Sequence, residues 1–390
     1  MRLLVRLALA GAAVALTIAL LRRRSSRGAR VGYVSLVAQG LHYWSRPHAG
    51  VVPTAPITSR AAWIGAELAQ QPELWRHEVT PAEAAALHRA VAAAEATGKA
   101  MGMLSAADFP VGAEWLARIA ALRRELMHGL GFFVLRGLPV GEWSTAQQEL
   151  AYWGLGLHLG LPGAQNNEGD LLGHVRDIGG DASTERQYKT RAEVLFHCDA
   201  ADAVGLLMVQ AAKDGGTSRL VSSASVFNRL LRDAPDVAPR LFRPLPMDTR
   251  GGGGVDWVRI EPLRVDTAGT LRTFYHTGYF RSVERFPSAR PFMDSAALDA
   301  YDATASDPEL HLDMELQPGD LQLVSNHFIL HARTAYEDYE EPGRKRHLLR
   351  LWLSFDDPSI IWRDRLSKFG HLLTFTCRMV NHKVRNSLGL

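Results

Sequence analysis

The chain has 390 residues, 47% apolar and 22% charged, an ordinary balance for a globular protein able to bury a sizeable core. Its formal net charge of +3 hides an asymmetry, because nine of the 44 basic residues precede the first acidic one, Glu67. The remainder is net acidic. That excludes the basic footprint of a nucleic-acid-binding domain, and no nucleic-acid partner is expected.

In chain order, a leader comes first. A charge-free run from Leu7 to Leu21 lies between Arg6 and Arg22-Arg23-Arg24. A spanning helix needs about 20 residues, a length reached here only if counting starts at Leu3 and Arg6 snorkels outward. Positive charge is denser after the run than before it, which predicts that the following domain faces the cytoplasm. Residues 1–24 are therefore read as a membrane anchor or targeting segment, with the membrane as a partner through it. Mitochondrial import is the alternative, since the leader is rich in Arg and Ser and lacks acidic residues. The two cysteines, Cys198 and Cys377, cannot build a disulfide framework, which fits a reducing compartment.

Residues 25–60 read as a linker carrying Pro53 and Pro56, and the main domain is expected over 61–360. Thr80-Pro81-Ala82-Glu83 is a capping box with Pro at the first helical position, opening an Ala-rich helix to about Ala96. Leu116, Ile119, Leu122 and Leu126 form a helical stripe within Trp115 to Met127. Phe132 to Leu135 reads as a buried strand, and Ser144 with Gln147 as a second capping box. From about Leu171 the pattern changes to short strands, with Ala203–Gln210, Thr273–Arg281, Leu321–Ser325 and Arg346–Leu353 the clearest. Ser223 is read as the cap of a helix through Val226, Leu230 and Leu231, and Gly251 to Gly254 as a mobile loop or insertion. Helices first and strands afterwards predict a mainly β protein with flanking helices (α+β), built as a sandwich or barrel. Residues 361–390, with Phe369, Leu372, Leu373 and Phe375, read as a C-terminal helical tail.

The chemistry concentrates in Phe196-His197-Cys198-Asp199. Residues i and i+2 of a strand share a face, so His197 and Asp199 can reach one metal with Cys198 turned away. A second His would complete two imidazoles and a carboxylate on one side of the ion, an arrangement suited to non-haem Fe(II) with open positions. His327 and His331 both follow the strand Leu321–Ser325 and are both open as that ligand on residue type. His347 falls on the strand face opposite Arg346 and Arg350 and is rejected. Those two arginines share a face with Leu348 and Trp352 and need anionic partners there. Protein carboxylates could serve, and so could a dicarboxylate held in a bidentate fork, with Thr217 adding its hydroxyl. Gln165, Asn166 and Asn167 form a polar loop that could line the pocket.

Phe196-His197-Cys198-Asp199, Gly215-Gly216-Thr217 with Ser222-Ser223, Leu330-His331-Ala332-Arg333 and Arg346-His347-Leu348-Leu349-Arg350 occur in an order and spacing that resemble one family. It is the TauD/TfdA family of Fe(II)- and 2-oxoglutarate-dependent dioxygenases, itself similar to clavaminate synthase, and the resemblance covers roughly Gly131 to Phe355. It implies a double-stranded β-helix (jelly-roll) core. It also implies His197, Asp199 and His331 as iron ligands, so His331 is preferred to His327. Thr217 and Arg346 would hold the distal carboxylate of 2-oxoglutarate, and Arg350 corresponds to a position that often meets an acidic substrate group. The implied activity is oxidation by O2, most often hydroxylation, of a small organic substrate with release of succinate and CO2. A non-catalytic jelly-roll binding protein and a protein-modifying oxygenase are the rival readings.

Overall fold

The computed structural model describes residues 48–166, 169–179, 190–250, 256–267 and 269–355. The leader, most of the linker, Asn167, the run Gly251 to Gly254, Cys377 and the proposed tail lie outside them. The expected membrane-anchored localisation is corrected, because among the described residues no helix is long and apolar enough to cross a membrane. The leader on which the anchor, its cytoplasmic orientation and the mitochondrial alternative rested lies outside the described residues, and its charge-free run is shorter than the about 20 residues a span needs.

Three long helices dominate the first part of the described chain, after the short helix Gly65–Leu68. Pro81–Ala96 opens on a capping box, in which Glu83 N donates to Thr80 Oγ1 (3.2 Å) and Thr80 N donates to Glu83 Oε2 (2.8 Å). Thr145–Leu159 opens on the same device at Ser144 and Gln147. Between them, Gly112–His128 buries Trp115, Ile119, Leu122 and Leu126, while Leu116 is 48% exposed. The apolar stripe therefore starts one residue earlier than the leucine spacing suggests. The indole gives a 4-3-4 repeat that tracks 3.6 residues per turn more closely.

These helices cover one face of a seven-stranded sheet. Its order is Arg76–Glu78, Phe132–Arg136, Leu321–Ser325, Ala203–Gln210, His347–Ser354 and Leu161–Gly163, with Leu172–Val175 also paired to His347–Ser354. Period-two alternation sorts the side chains. Leu207, Leu321, Leu323, Leu349, Leu351 and Leu353 pack under the helices. Val204, Met208, Val324, Leu348 and Trp352 face inward, where they meet Leu220, Leu312, Met314 and Ile329 of a second sheet. Gly205 in the central strand is required by close approach, since a Cβ there would lie 2.5 Å from the Tyr152 hydroxyl. That hydroxyl accepts a hydrogen bond from Leu351 N (3.2 Å).

The second sheet has four antiparallel strands in the order His311–Met314, Ser218–Ser222, Ile329–Arg333 and Val194–His197. Helices Ser223–Asp233, Thr277–Ser282 and Ser295–Ala305 cover its outer face around Phe196, Cys198, Val221 and Leu330. Two sheets face to face with helices outside make an α+β double-stranded β-helix. Two local readings change. The first of these helices is capped by Ser222, whose side chain accepts from Ser225 N, and not by Ser223. The segment read as a strand over Thr273–Arg281 is a strand only over Leu271–Thr273, followed by the helix from Thr277. Its aromatic content mimics a strand, but Thr277 and Phe280 at i and i+3 are the buried pair, which helical spacing satisfies.

Candidate active site

His197 ends its strand directly opposite His331 of the neighbouring strand, and this register brings the two imidazole centroids to 4.1 Å. Asp199 lies just past the strand end, in the crossover to Ala203–Gln210 of the larger sheet. Side-chain alternation continues through it. Cys198 turns into the outer core, where its Sγ lies 3.3 Å from Tyr275 O and burial pushes the thiol up to about 12. Leu195 is 46% exposed at the rim, not part of a buried face with His197.

Asp199 Oδ1 stands 3.9 Å from His197 Nε2, and Oδ2 stands 3.7 Å from His331 Nε2. All three side chains are buried, and each offers a ligand atom within 4.8 Å of the other two. The Nδ1 of His197 lies 2.9 Å from Leu195 O, which fixes a proton on that nitrogen and leaves the Nε2 lone pair facing the other ligands. Burial, with His197 and Arg350 adding to it, lowers His331 to about 3, so its ring is neutral and fit to bind a metal. Burial pushes the Asp199 carboxyl up, but Arg350, His331, His197 and the bond from Trp352 outweigh it and hold it below its ordinary value. A buried carboxylate between two imidazoles is a cation site by its donor chemistry.

Several residues hold Asp199 in place that the sequence did not single out. Trp352 Nε1 donates to Asp199 Oδ2 (2.9 Å), tying the crossover to the larger sheet. Asp199 N donates to Asn326 Oδ1 (3.0 Å). The adjacent His327 is not in the cluster; its Nε2 lies 2.6 Å from Asp202 Oδ1. His347 points to the opposite face, its Nε2 2.9 Å from His174 Nδ1. His276 was missed altogether. It forms an isolated antiparallel bridge with His197, with ring centroids 4.8 Å apart and its own ring stacked on Tyr279. No motif spacing signals it.

Arg350 sits on the inner face of the last strand with Leu348 and Trp352, and Arg346 immediately precedes that strand, which begins at His347 and not at Arg346. Arg350 is buried and donates from Nε to Gln165 Oε1 (2.7 Å), and Gln165 Nε2 in turn donates to Arg350 O (2.8 Å). Asn166 instead braces its own loop, accepting from Gly169 N and Asp170 N (3.0 Å each). Arg346 is 4% exposed, and its Nη1 is buried without a hydrogen-bond partner. Burial and the neighbouring Arg333 bring its guanidinium down to about 10, so it stays charged at neutral pH. Gly216, at φ +76°, lets backbone pass against it, since a Cβ there would lie 2.9 Å from Arg346 Nε. Thr217 follows directly, yet its hydroxyl donates to the Glu315 carboxylate. The structure therefore gathers His197, Asp199 and His331, places Arg350 beside them, and leaves Thr217 engaged elsewhere.

Residues 92–352 match the family model for "Taurine catabolism dioxygenase TauD, TfdA family". The chain is 30% identical over 320 residues to FR-33289 synthase of Streptomyces rubellomurinus, covering 77% of this chain and 91% of that protein. It is 30% identical over 172 residues to a uridine-5'-phosphate dioxygenase of an Amycolatopsis species, covering 42% of this chain and 62% of that one. The fold is similar to that of asparagine oxygenase solved with Fe(II), 2S,3S-3-hydroxyasparagine and succinate, at a TM-score of 0.58 and 18% identity over 75% of this chain and 96% of the other. The protein is an oxidoreductase, an Fe(II)- and 2-oxoglutarate-dependent dioxygenase of small molecules, and the chain belongs to the TauD, TfdA family.

Proposed function

We propose that this enzyme hydroxylates a small organic molecule bearing an anionic group, with His197, Asp199 and His331 as the iron ligands and Arg346 as the anchor for the distal carboxylate of 2-oxoglutarate. The observation that carries the reading is the buried three-ligand cluster in a fold whose inner face also holds a charged Arg346 with an unpartnered Nη1. Iron bound there supplies oxygen activation coupled to conversion of 2-oxoglutarate to succinate and CO2. The chain's own residues do the rest. His331 presents a neutral imidazole, Asp199 a carboxylate oriented by Trp352, and Arg346 a guanidinium matched to a carboxylate. Thr217 joins Arg346 only on exchanging Glu315 for the co-substrate.

The anionic substrate group rests on Arg350. Oriented by Gln165, it is the strongest favourable influence on the ionised form of Asp199, so a positive charge stands close to the ligand cluster. The name of the uridine-5'-phosphate dioxygenase gives that relative a phosphorylated substrate, which supports the same reading. Anaerobic Fe(II) plus 2-oxoglutarate should give a weak visible charge-transfer band, and bound iron with no band would sink the assignment. Succinate release is then compared with uridine 5'-phosphate and uridine as probes, alongside other charged and uncharged pairs. Equal stimulation by both members of every pair would remove the anionic group from the proposal.

A further inference from the structure

Arg333 has so far appeared only as a neighbour of Arg346, yet it lies two residues beyond His331 on the strand Ile329–Arg333. It therefore projects towards the same interior as the metal ligand. It is 8% exposed. Its guanidinium carbon lies over the Tyr336 ring, 4.6 Å from the centroid, and that of Arg346 lies over the same ring at 5.0 Å. The two charges are thus no more than about 10 Å apart, and because both are buried salt screens them little.

Among the described residues neither guanidinium is in contact with a carboxylate. Arg333 donates from Nη1 and Nη2 to Thr190 O (3.3 and 3.2 Å) and from Nη2 to Ala192 O, and Arg346 donates from Nη2 to Gly216 O (3.4 Å). Arg333 Nε and Arg346 Nη1 are buried without partners. The nearby acids are committed in part elsewhere: Asp338 Oδ1 accepts from the backbone N of Arg346 (2.7 Å), and Asp177 lies 3.1 Å from Arg191. Two like charges buried around one ring repel; Tyr336, Asp338 and Asp177 favour the charged forms in part, and an anion in their joint field would offset the rest.

Resting on the reading of Arg346 as the co-substrate anchor, we propose that Arg333 is the second cation of that anchor. Tyr336 spaces the two guanidinium groups, and the distal carboxylate of 2-oxoglutarate occupies their common field. Because Arg333 also grips Thr190 and Ala192, just before the strand Val194–His197, it links the anchor to the strand that carries His197. Its charge selects a dianionic 2-oxo acid over one lacking the distal carboxylate.

The test titrates the anaerobic Fe(II)-loaded protein through its charge-transfer band, with 2-oxoglutarate and with 2-oxovalerate, which has the same chain length but no distal charge. Arg333→Met should weaken 2-oxoglutarate by about 10- to 30-fold, the factor expected of one charge acting at this range through protein. Its Kd for 2-oxovalerate should stay within about twofold, and Arg333→Lys should recover most of the 2-oxoglutarate affinity. Should the Met variant fail to fold, Arg333→Gln repeats the comparison while keeping donors for Thr190 and Ala192. Equal weakening of both acids would mean that Arg333 only braces the backbone, and a Lys variant no better than Met would mean that charge is not the agent; either overturns the proposal. An absent band in the wild type, or an unchanged 2-oxoglutarate Kd in Arg346→Met, overturns the parent reading, and this one with it.

Discussion

The two sheets divide the chemistry between them. The four-stranded sheet carries His197 and His331 on neighbouring strands, in a register that a single-residue slip would destroy. The seven-stranded sheet carries Arg350 and Trp352 on one face of the strand His347–Ser354, with Arg346 immediately before it. Asp199 belongs to neither, because it rides the crossover between them and is bonded to Trp352. Ligand geometry is thus set locally by strand pairing, whereas the charge environment is set by how the two sheets face each other. Small errors in the first abolish the site; errors in the second detune it.

That contrast can be broken in three ways. The largest effect is expected where a ligand is removed. His331→Ala should abolish Fe(II) binding and succinate formation together, whereas Arg346→Met should leave Fe(II) binding intact and raise the KM for 2-oxoglutarate by about 100-fold. Iron titration alongside steady-state kinetics separates the two, and a parallel loss of iron in Arg346→Met would dissolve the division. A middling effect should follow at the seam. Trp352→Phe removes the indole donor to Asp199 and should lower iron affinity by about 10-fold, as loss of a ligand-orienting bond does. An unchanged affinity would show that Asn326 alone suffices to hold the crossover. The smallest and most gradual effect concerns protons. His331 falls to about 3 from an ordinary 6.5, and His276 also lies well below that value, in both cases chiefly through burial. The unfolded chain therefore binds protons that the metal-free folded protein refuses between these limits. Stability of the metal-free protein should be complete above pH 6.5 and decline as pH falls below it. A melting temperature flat across that range would contradict the buried, neutral state of these rings.

The sequence was most readable where local rules decide. The capping boxes at Thr80 and Ser144 and the strands Ala203–Gln210 and Leu321–Ser325 follow from hydrogen-bonding and alternation within a few residues. The shared face of Arg346 and Arg350 follows from the same period of two. His331 could be told from His327 only by resemblance, because the difference is made by Asp202, which takes His327 into a buried pair. Thr217 was expected to face Arg346, but its orientation depends on Glu315 from a distant strand end. His276 reaches His197 through a turn between a short strand and a short helix, and neither periodicity nor spacing encodes such an approach. What escaped the sequence was mainly tertiary placement of single side chains, together with one element, the helix from Thr277 that reads as a strand.

Cys198 has one more consequence. It is the single thiol among the described residues, and it sits between two of the proposed metal ligands of an oxygen-using enzyme. Oxidative damage to cysteine proceeds through the thiolate and requires access. Alternation points this sulfur to the far side of the sheet, burial keeps it protonated, and the Tyr275 backbone occupies it as both donor and acceptor. The pleat that turns His197 and Asp199 to the proposed iron site thereby turns the sulfur between them away from it, so protection of this thiol is built into the same four residues as the proposed reactivity.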